Sequence, residues 1–424
     1  MNYPWREKAY ILFRRIKALG NRMCFYLCRI FPVKGNRISV CTFEGKGGFG
    51  CNPKYIVEEL HRRDPSYEFV WFVNDMGKSF PEYIRKVPNT LWNRAYWLST
   101  SKIWIDNYRK PYGTCKRRNQ YYLNTNHYTM GMKCTGIWRG KGFSQMAYLV
   151  SRNDSQMIDD IVIDSKWCED SFYNSMVYEG SFLKIGVPRC DVLYGDKRLR
   201  HDRFCKKHNI PSESKVLMFA PTFRERARNG KRSVFSEVWT IDFKRLMGCL
   251  EKRFGGKWYL CIRVHPQLAP ILREYRNEEI QERLIDESQA DDMYEILAGM
   301  DAYITDYSSA MFEAGFAGIP VFIYADDIEK YARERGSLMW NMTSGQLNHV
   351  TNNKKMTPEI DAVLPYPIAQ NNEELEENIL NFDEKAYGDK IKCLAEAAGL
   401  VFDGRASERA ANKLEFYMKG LESV

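Results

Sequence analysis

Apolar and polar positions follow two rhythms along the chain. Short apolar runs that end in polar clusters read as strands covered on both faces. Stretches with apolar residues three and four apart read as helices. The first strand is RISVCTF, residues 37–43. The glycine-rich EGKGGFGCNP follows, then the helical KYIVEELHRR and a second strand, YEFVWFVND. Together they form a β-loop-α-β unit. The rhythm continues through KIWIDN (102–107), YYLNTN (121–126), DIVIDS (160–165) and FLKIG (182–186), with helical stretches between them. A second series opens near Lys197 with the helical KRLRHDRFCKKHNI. Its strands are KVLMFAPTF (215–223), WYLCIRVHP (258–266), DAYITD and PVFIY; its helices are DDMYEILAGM (291–300) and SSAMFEAGFAG. Two α/β series of similar size predict two Rossmann-like domains facing a central cleft, with a hinge around 186–198. The expected division is 1–36, 37–195 and 196–390, then a helical tail, 391–424, that packs back on the first domain.

The segment ahead of the first strand, WREKAYILFRRIKALGNRMCFYLCRIF (5–31), reads as a helix ending before Pro32. Leu12, Ile16, Leu19, Met23, Tyr26, Leu27 and Ile30 share one arc. Arg14, Arg15, Lys17, Arg22 and Arg29 share the opposite arc, while Ile11 and Phe25 break the pattern. So many cations argue against a spanning helix. An apolar face with a basic back suits a helix lying in an anionic membrane surface. An amphipathic helix docked on the protein's own core has the same pattern.

Charge and cysteine usage narrow the choice of partner. The net charge of +9 favours anionic partners such as nucleotides, phosphate polymers or an acidic membrane. The aromatic residues sit in apolar runs and are not interleaved with a basic stripe, so no nucleic-acid role is expected. The 12 cysteines form no CxxC pair and the 6 histidines are scattered, so no metal site or cofactor is expected. Many unpaired cysteines and no membrane-spanning run point to a protein of the reducing cytoplasm.

The unusual polar residues fall where strands end. APTFR supplies Thr222 and Arg224, RVHP supplies Arg263 and His265, and TDYSS supplies Asp306, Ser308 and Ser309. In the first series NTNHYTMGMK supplies Asn126, His127 and Lys133, and GVPRCD supplies Arg189 and Asp191. Carboxyl ends of parallel strands share a crevice. Guanidinium groups, imidazoles and hydroxyls at a helix start would there make a dianion site. Taken singly, Ser308, Ser309 or Asp306 reads as a helix cap, Arg224 as a surface ion pair and His265 as a core histidine.

These segments resemble, in order, the motifs of the CDP-glycerol glycerophosphotransferase family, which includes polymerases and primases of wall teichoic acid. ITDYSSAMFEAGFAGIPVFIYADDIEKYARERG is similar to its core signature. FAPTFRE, IRVHP, IGVPRCDVL and GGFGCNPKYIVEEL match further motifs, so the resemblance covers about 37–340. It implies a GT-B-like fold and transfer of glycerol phosphate, or a related alditol phosphate, from a CDP-linked donor. The acceptor would be a hydroxyl of a lipid-linked glycan or polyol phosphate, and CMP would leave. The setting would be teichoic acid or phosphate-containing capsule synthesis, at the cytoplasmic face of the cell membrane.

The family's Trp-His-Gly-Thr-Pro segment corresponds to TNHYTMGMK, which puts His127 at the position of the proposed base. Asn126 and Tyr128 replace the Trp and Gly, and an extra residue precedes Lys133. The resemblance implies that Arg189, Arg224 and Arg263 lie near the donor phosphates and His265 near the pyrophosphate or leaving group. Ser308 and Ser309 match the hydroxyl pair. Glu313 stands where the family usually has Asp, suited to the donor's glycerol hydroxyls. A GT-B glycosyltransferase using a nucleotide sugar, or a non-catalytic protein on an anionic surface, would share much of this pattern.

Overall fold

The computed structural model describes residues 5–128, 130–222, 224–228, 231–235, 240–264, 278–335, 338–352 and 355–420. The first domain is built on a parallel sheet of seven strands: β1 (Lys34–Cys41), β2 (Glu68–Val73), β3 (Ile84–Pro88), β4 (Ser101–Asp106), β5 (Tyr121–Asn124), β6 (Asp160–Ile163) and β7 (Ser181–Lys184). Their order is β3-β2-β1-β4-β5-β6-β7. Strands such as EFVWFV and DIVI are buried almost throughout, because helices cover both faces of the sheet. The chain order reverses between β1 and β4, and a crevice opens there.

The second domain repeats the plan. Its sheet holds β8 (Lys215–Phe219), β11 (Trp258–Ile262), β12 (Leu284–Asp286), β13 (Ala302–Thr305), β14 (Val321–Tyr324) and β17 (Ile368–Ala369). The order is β12-β11-β8-β13-β14-β17, with the reversal between β8 and β13. Two short antiparallel pairs stand outside it, β9 (Arg224–Arg228) with β10 (Lys231–Phe235) and β15 (Thr351–Asn352) with β16 (Lys355–Met356). The sequence pattern gave no sign of either pair.

The change back to the first domain falls at Gly399–Val401, later than the expected boundary at 391. The helix Glu384–Ala398 still buries Tyr387, Ile391 and Leu394 with the second-domain core. Val401 N–H then donates to the Asp164 carbonyl at 2.6 Å, and Leu400 bridges Ser165. The last helix, Ala406–Met418, buries Ala410, Ala411 and Leu414 against the first sheet. Its first N–H groups, those of Ala406 and Ser407, donate to the Asp191 carboxylate at 3.0 and 2.7 Å. Asp191 is thus a helix cap outside the crevice, which corrects its expected place there.

The N-terminal helix, Trp5–Leu27, docks on the first domain through a narrow stripe of Ile11, Ala18, Asn21 and Phe25. Phe25 is 1% exposed and packs with Leu98, Trp104 and Tyr122. Ile11 and Phe25, which interrupt the apolar arc, are therefore the anchors. The arc itself stays outside: Ile16 is 60%, Leu19 61% and Met23 65% exposed. Among the described residues no helix is long and apolar enough to cross a membrane.

The two domains are tied by the glycine-rich loop and the start of the helix that follows it, Cys51–Arg63. A Cβ at Gly50 would lie 2.6 Å from the Asp291 carbonyl, so the loop backbone reaches the second domain only without side chains. Lys54 Nζ lies 3.1 Å from the Asp292 carboxylate and 2.8 Å from that of Glu295, and Lys78 pairs with Asp291.

Candidate active site

A cavity of about 500 Å³ opens between the two domains, with walls from both. His127, Asn126 and Lys133 stand on the first-domain side; Thr222, Ser308 and Ser309 stand on the second. The two groups come from turns that follow β5, β8 and β13, so the polar residues after these three strands meet in one space.

His127 leaves β5 through a tight turn. Asn126 has φ +50, a left-handed conformation that asparagine tolerates, and its side chain donates to the Tyr128 carbonyl at 2.8 Å. Asn52, from the Asn-Pro-Lys-Tyr segment, fixes this turn. Its Nδ2 donates to the carbonyls of Thr125 and Asn126 at 2.9 and 3.0 Å, and its Oδ1 accepts the Arg189 N–H at 3.1 Å. His127 Nδ1 lies 3.0 Å from the Asn107 carbonyl. The carbonyl only accepts, so Nδ1 carries the proton and the neutral ring keeps its lone pair on Nε2. Phe43, Tyr108 and Tyr128 surround the imidazole. Burial lowers its pKa to about 4, with the charges of Arg189 and Arg109 adding to the effect against the Asn107 hydrogen bond. The ring is therefore a neutral acceptor at physiological pH.

Behind His127 the domains are joined by a buried chain of polar groups. Arg189 Nη1 donates to the His127 carbonyl at 2.7 Å, and its Nη2 lies 2.6 Å from Glu313 Oε1. Tyr294 donates its hydroxyl to the other Glu313 oxygen. Burial opposes the charge on Arg189, and the Glu313 carboxylate outweighs it, so the guanidinium pKa rises. Arg189 and Glu313 are 4% and 2% exposed, and neither is among the residues that line the cavity. They were expected at the donor phosphates and the donor's glycerol hydroxyls; the structure places them as a pair that holds the His127 turn against the helix Ala310–Phe316.

On the opposite wall Asp306 organises the donor-side turn. One carboxylate oxygen accepts from Thr222 N–H and Thr222 Oγ1, both at 2.8 Å, and from Tyr307 N–H at 2.6 Å. This ties the loop after β8 to the loop after β13 at the point where the sheet order reverses. Ser308 Oγ accepts a long bond from Ala310 N–H at 3.4 Å, and Ser309 forms no side-chain cap to its helix. Capping thus takes up little of either hydroxyl's capacity. Lys133 pairs in a β-bridge with Leu338, and its ammonium lies 5.5 Å from the Tyr331 ring centroid.

Arg263 sits apart from the cavity wall. Its Nη2 donates to the Ala290 carbonyl at 2.8 Å, and its buried Nε has no hydrogen-bond partner among the described residues. His265 and the side chain of Arg224 lie outside the described residues. Asn52, Asn107 and Tyr294 were not singled out in the sequence. Asn52 stands in a motif segment and Asn107 at the end of an expected strand; Tyr294 carries no local signal, because its partner is remote in sequence.

Two Rossmann-like domains with opposed functional walls at their strand ends define the chain as a GT-B-like protein. A profile of the CDP-Glycerol:Poly(glycerophosphate) glycerophosphotransferase family matches residues 23–415, and the chain belongs to that family. The chain is 30% identical over 360 residues to a teichoic acid glycerol-phosphate primase of Bacillus spizizenii, covering 78% of this chain and 83% of the primase. It is 27% identical over 386 residues to a teichoic acid poly(glycerol phosphate) polymerase of Staphylococcus epidermidis. That match covers 89% of this chain but spans only 50% of the polymerase. A solved structure of the wall teichoic acid polymerase TagF superposes with a TM-score of 0.77 at 25% identity, covering 99% of this chain and 100% of that one.

Proposed function

We propose that the protein transfers glycerol phosphate, or a related alditol phosphate, from a CDP-linked donor to a hydroxyl of a lipid-linked acceptor, in the synthesis of teichoic acid or a phosphate-containing capsule. The observation that carries this reading is the meeting of His127 and the Ser308–Ser309 pair in one cavity. Ser308, Ser309 and Thr222 hold the donor pyrophosphate, and Asp306 keeps their loops in register. Arg224, Arg263 and His265 belong to the same donor side. The acceptor hydroxyl attacks the β-phosphorus. A new P–O bond forms to the acceptor, the bond from phosphorus to the bridging oxygen of CMP breaks, and the proton passes to His127 Nε2. Phosphoryl transfer of this kind depends on in-line positioning and on donors aimed at the developing charge. A neutral, half-buried imidazole with Nδ1 already engaged suits the task of accepting the hydroxyl proton.

The acceptor's lipid would bring the reaction to an anionic membrane surface, at the cytoplasmic face of the cell membrane. The uncovered arc of Ile16, Leu19 and Met23 supports this, since it would immerse in the interface while the basic residues meet headgroups. The test is incubation of the protein with CDP-glycerol or CDP-ribitol and a lipid-linked acceptor. CMP release that depends on the acceptor is the expected result. Release of a nucleoside diphosphate from a nucleotide sugar, with none of CMP, would overturn the reading in favour of a glycosyltransferase.

A further inference from the structure

Most of the residues that line the cavity belong to the first domain. The cavity extends from His127 toward the helix Gln145–Ser155, the strand β6 and residues 176–178. Asp154 lines this part and is 1% exposed. One of its carboxylate oxygens accepts the Lys110 N–H at 3.1 Å; the other, Oδ2, is buried without a hydrogen-bond partner among the described residues. A buried carboxylate oxygen left without a partner is costly, so its persistence at a cavity wall calls for a reason. Ser151 stands one helical turn before it and receives a hydrogen bond from Arg109, which also lines the cavity. Ile158 and Val177 add aliphatic surface, and the exposed Arg139 adds a second guanidinium.

We propose that this recess is an acceptor subsite that takes the terminal polyol of the acceptor chain, with Asp154 Oδ2 receiving one of its hydroxyls. Aliphatic walls suit the carbon skeleton of a small polyol, and the carboxylate supplies the acceptor that its hydroxyls need. Arg109 and Arg139 fit the phosphodiester that precedes the terminal unit. Burial raises the Asp154 pKa to about 7, against the Lys110 hydrogen bond, which agrees with a carboxyl group lacking a full set of partners. The proposal rests on the phosphotransfer reading for the identity of the acceptor, and a binding measurement without donor separates the two.

The experiment uses the full chain and two synthetic probes, an octyl-linked glycerol phosphate trimer and its ribitol counterpart. Asp154→Asn keeps the shape and the acceptor for Lys110 N–H, and it removes a charge that burial disfavours, so its melting temperature should not fall. Calorimetric titration should show one trimer binding the wild type and at least tenfold weaker binding by D154N. With CDP-alditol present, the acceptor KM should rise at least tenfold while the donor KM and the slow release of CMP to water stay unchanged. If D154N does not fold, Val177→Trp, which fills the recess from its other wall, should give the same loss. Trimer affinity within twofold of wild type in the folded variant overturns the subsite, as does failure of both trimers to bind the wild type. Absence of CMP release from any CDP-alditol, with trimer binding still dependent on Asp154, would overturn the phosphotransfer reading and leave the subsite standing.

Discussion

Arg189 of the first domain and Glu313 of the second meet with Nη2 2.6 Å from Oε1, and the same guanidinium holds the His127 carbonyl. Both side chains are buried, so removing one partner leaves the other charge uncompensated. Glu313→Ala should therefore cost about 3–5 kcal/mol of stability. Denaturant unfolding of the two single variants and of the double Arg189→Ala/Glu313→Ala should give a coupling of about 0.5–3 kcal/mol. Additive losses would mean that the contact carries nothing. Glu313→Asp, with the shorter side chain that the family pattern leads one to expect, should weaken the tie to Arg189 and lower kcat more than donor affinity.

The titration of His127 sets a pH profile. The folded pKa is about 4, below the ordinary value of about 6.5 for free histidine. Between these values the unfolded chain binds the proton and the folded one does not. The stabilisation is therefore complete above the unfolded pKa and is lost as pH falls toward the folded one. His127→Ala should flatten this part of the stability curve. The acid limb of kcat/KM should fall well below pH 6.5, and the same substitution should cut turnover by about 10²–10⁴. An acid limb centred on the free value would contradict the lowered pKa of His127.

The Asp306 carboxylate accepts from Thr222 N–H, Thr222 Oγ1 and Tyr307 N–H. Asp306→Ala should destabilise by about 1–3 kcal/mol, because Thr222 and Tyr307 N–H groups lose their acceptor. Thr222→Val removes the Oγ1 bond to Asp306 and should cost about 0.5–1.5 kcal/mol. Both should raise the CDP-alditol KM more than they lower kcat. An unchanged donor KM in either would separate this turn from donor binding.

The N-terminal helix makes opposite predictions for its two faces. Leu19→Glu and Met23→Glu lie on the uncovered arc and should leave melting unchanged while reducing sedimentation with anionic vesicles. Phe25→Ala lies in the docked stripe and should cost about 3–5 kcal/mol. Vesicle binding unaffected by the glutamates would reject a membrane role for the arc.

The strands were legible because parallel strands covered on both faces must be apolar throughout, as in EFVWFV and DIVI. The pair of Rossmann-like domains followed from counting two such series, and the GT-B-like arrangement from the family resemblance. Side-chain direction was not legible. Arg189 and Asp191 do follow a strand, but they lie in the 3-10 helical segment Pro188–Tyr194. One side chain enters the domain junction and the other caps the last helix. The same limit hid the docking of the N-terminal helix, because a stripe containing Asn21 and Ala18 is too polar and too small to stand out beside the apolar arc. Tyr294 and Asp154 gave no signal because their surroundings are assembled from distant segments.

The most direct test of the central claim is CMP release from CDP-glycerol and CDP-ribitol, compared between wild type and His127→Ala with a lipid-linked acceptor. Acceptor-dependent CMP release by the wild type, reduced by about 10²–10⁴ in the variant, is the predicted result. Equal release by both proteins would contradict the role of His127. No release from either donor would contradict the proposed reaction.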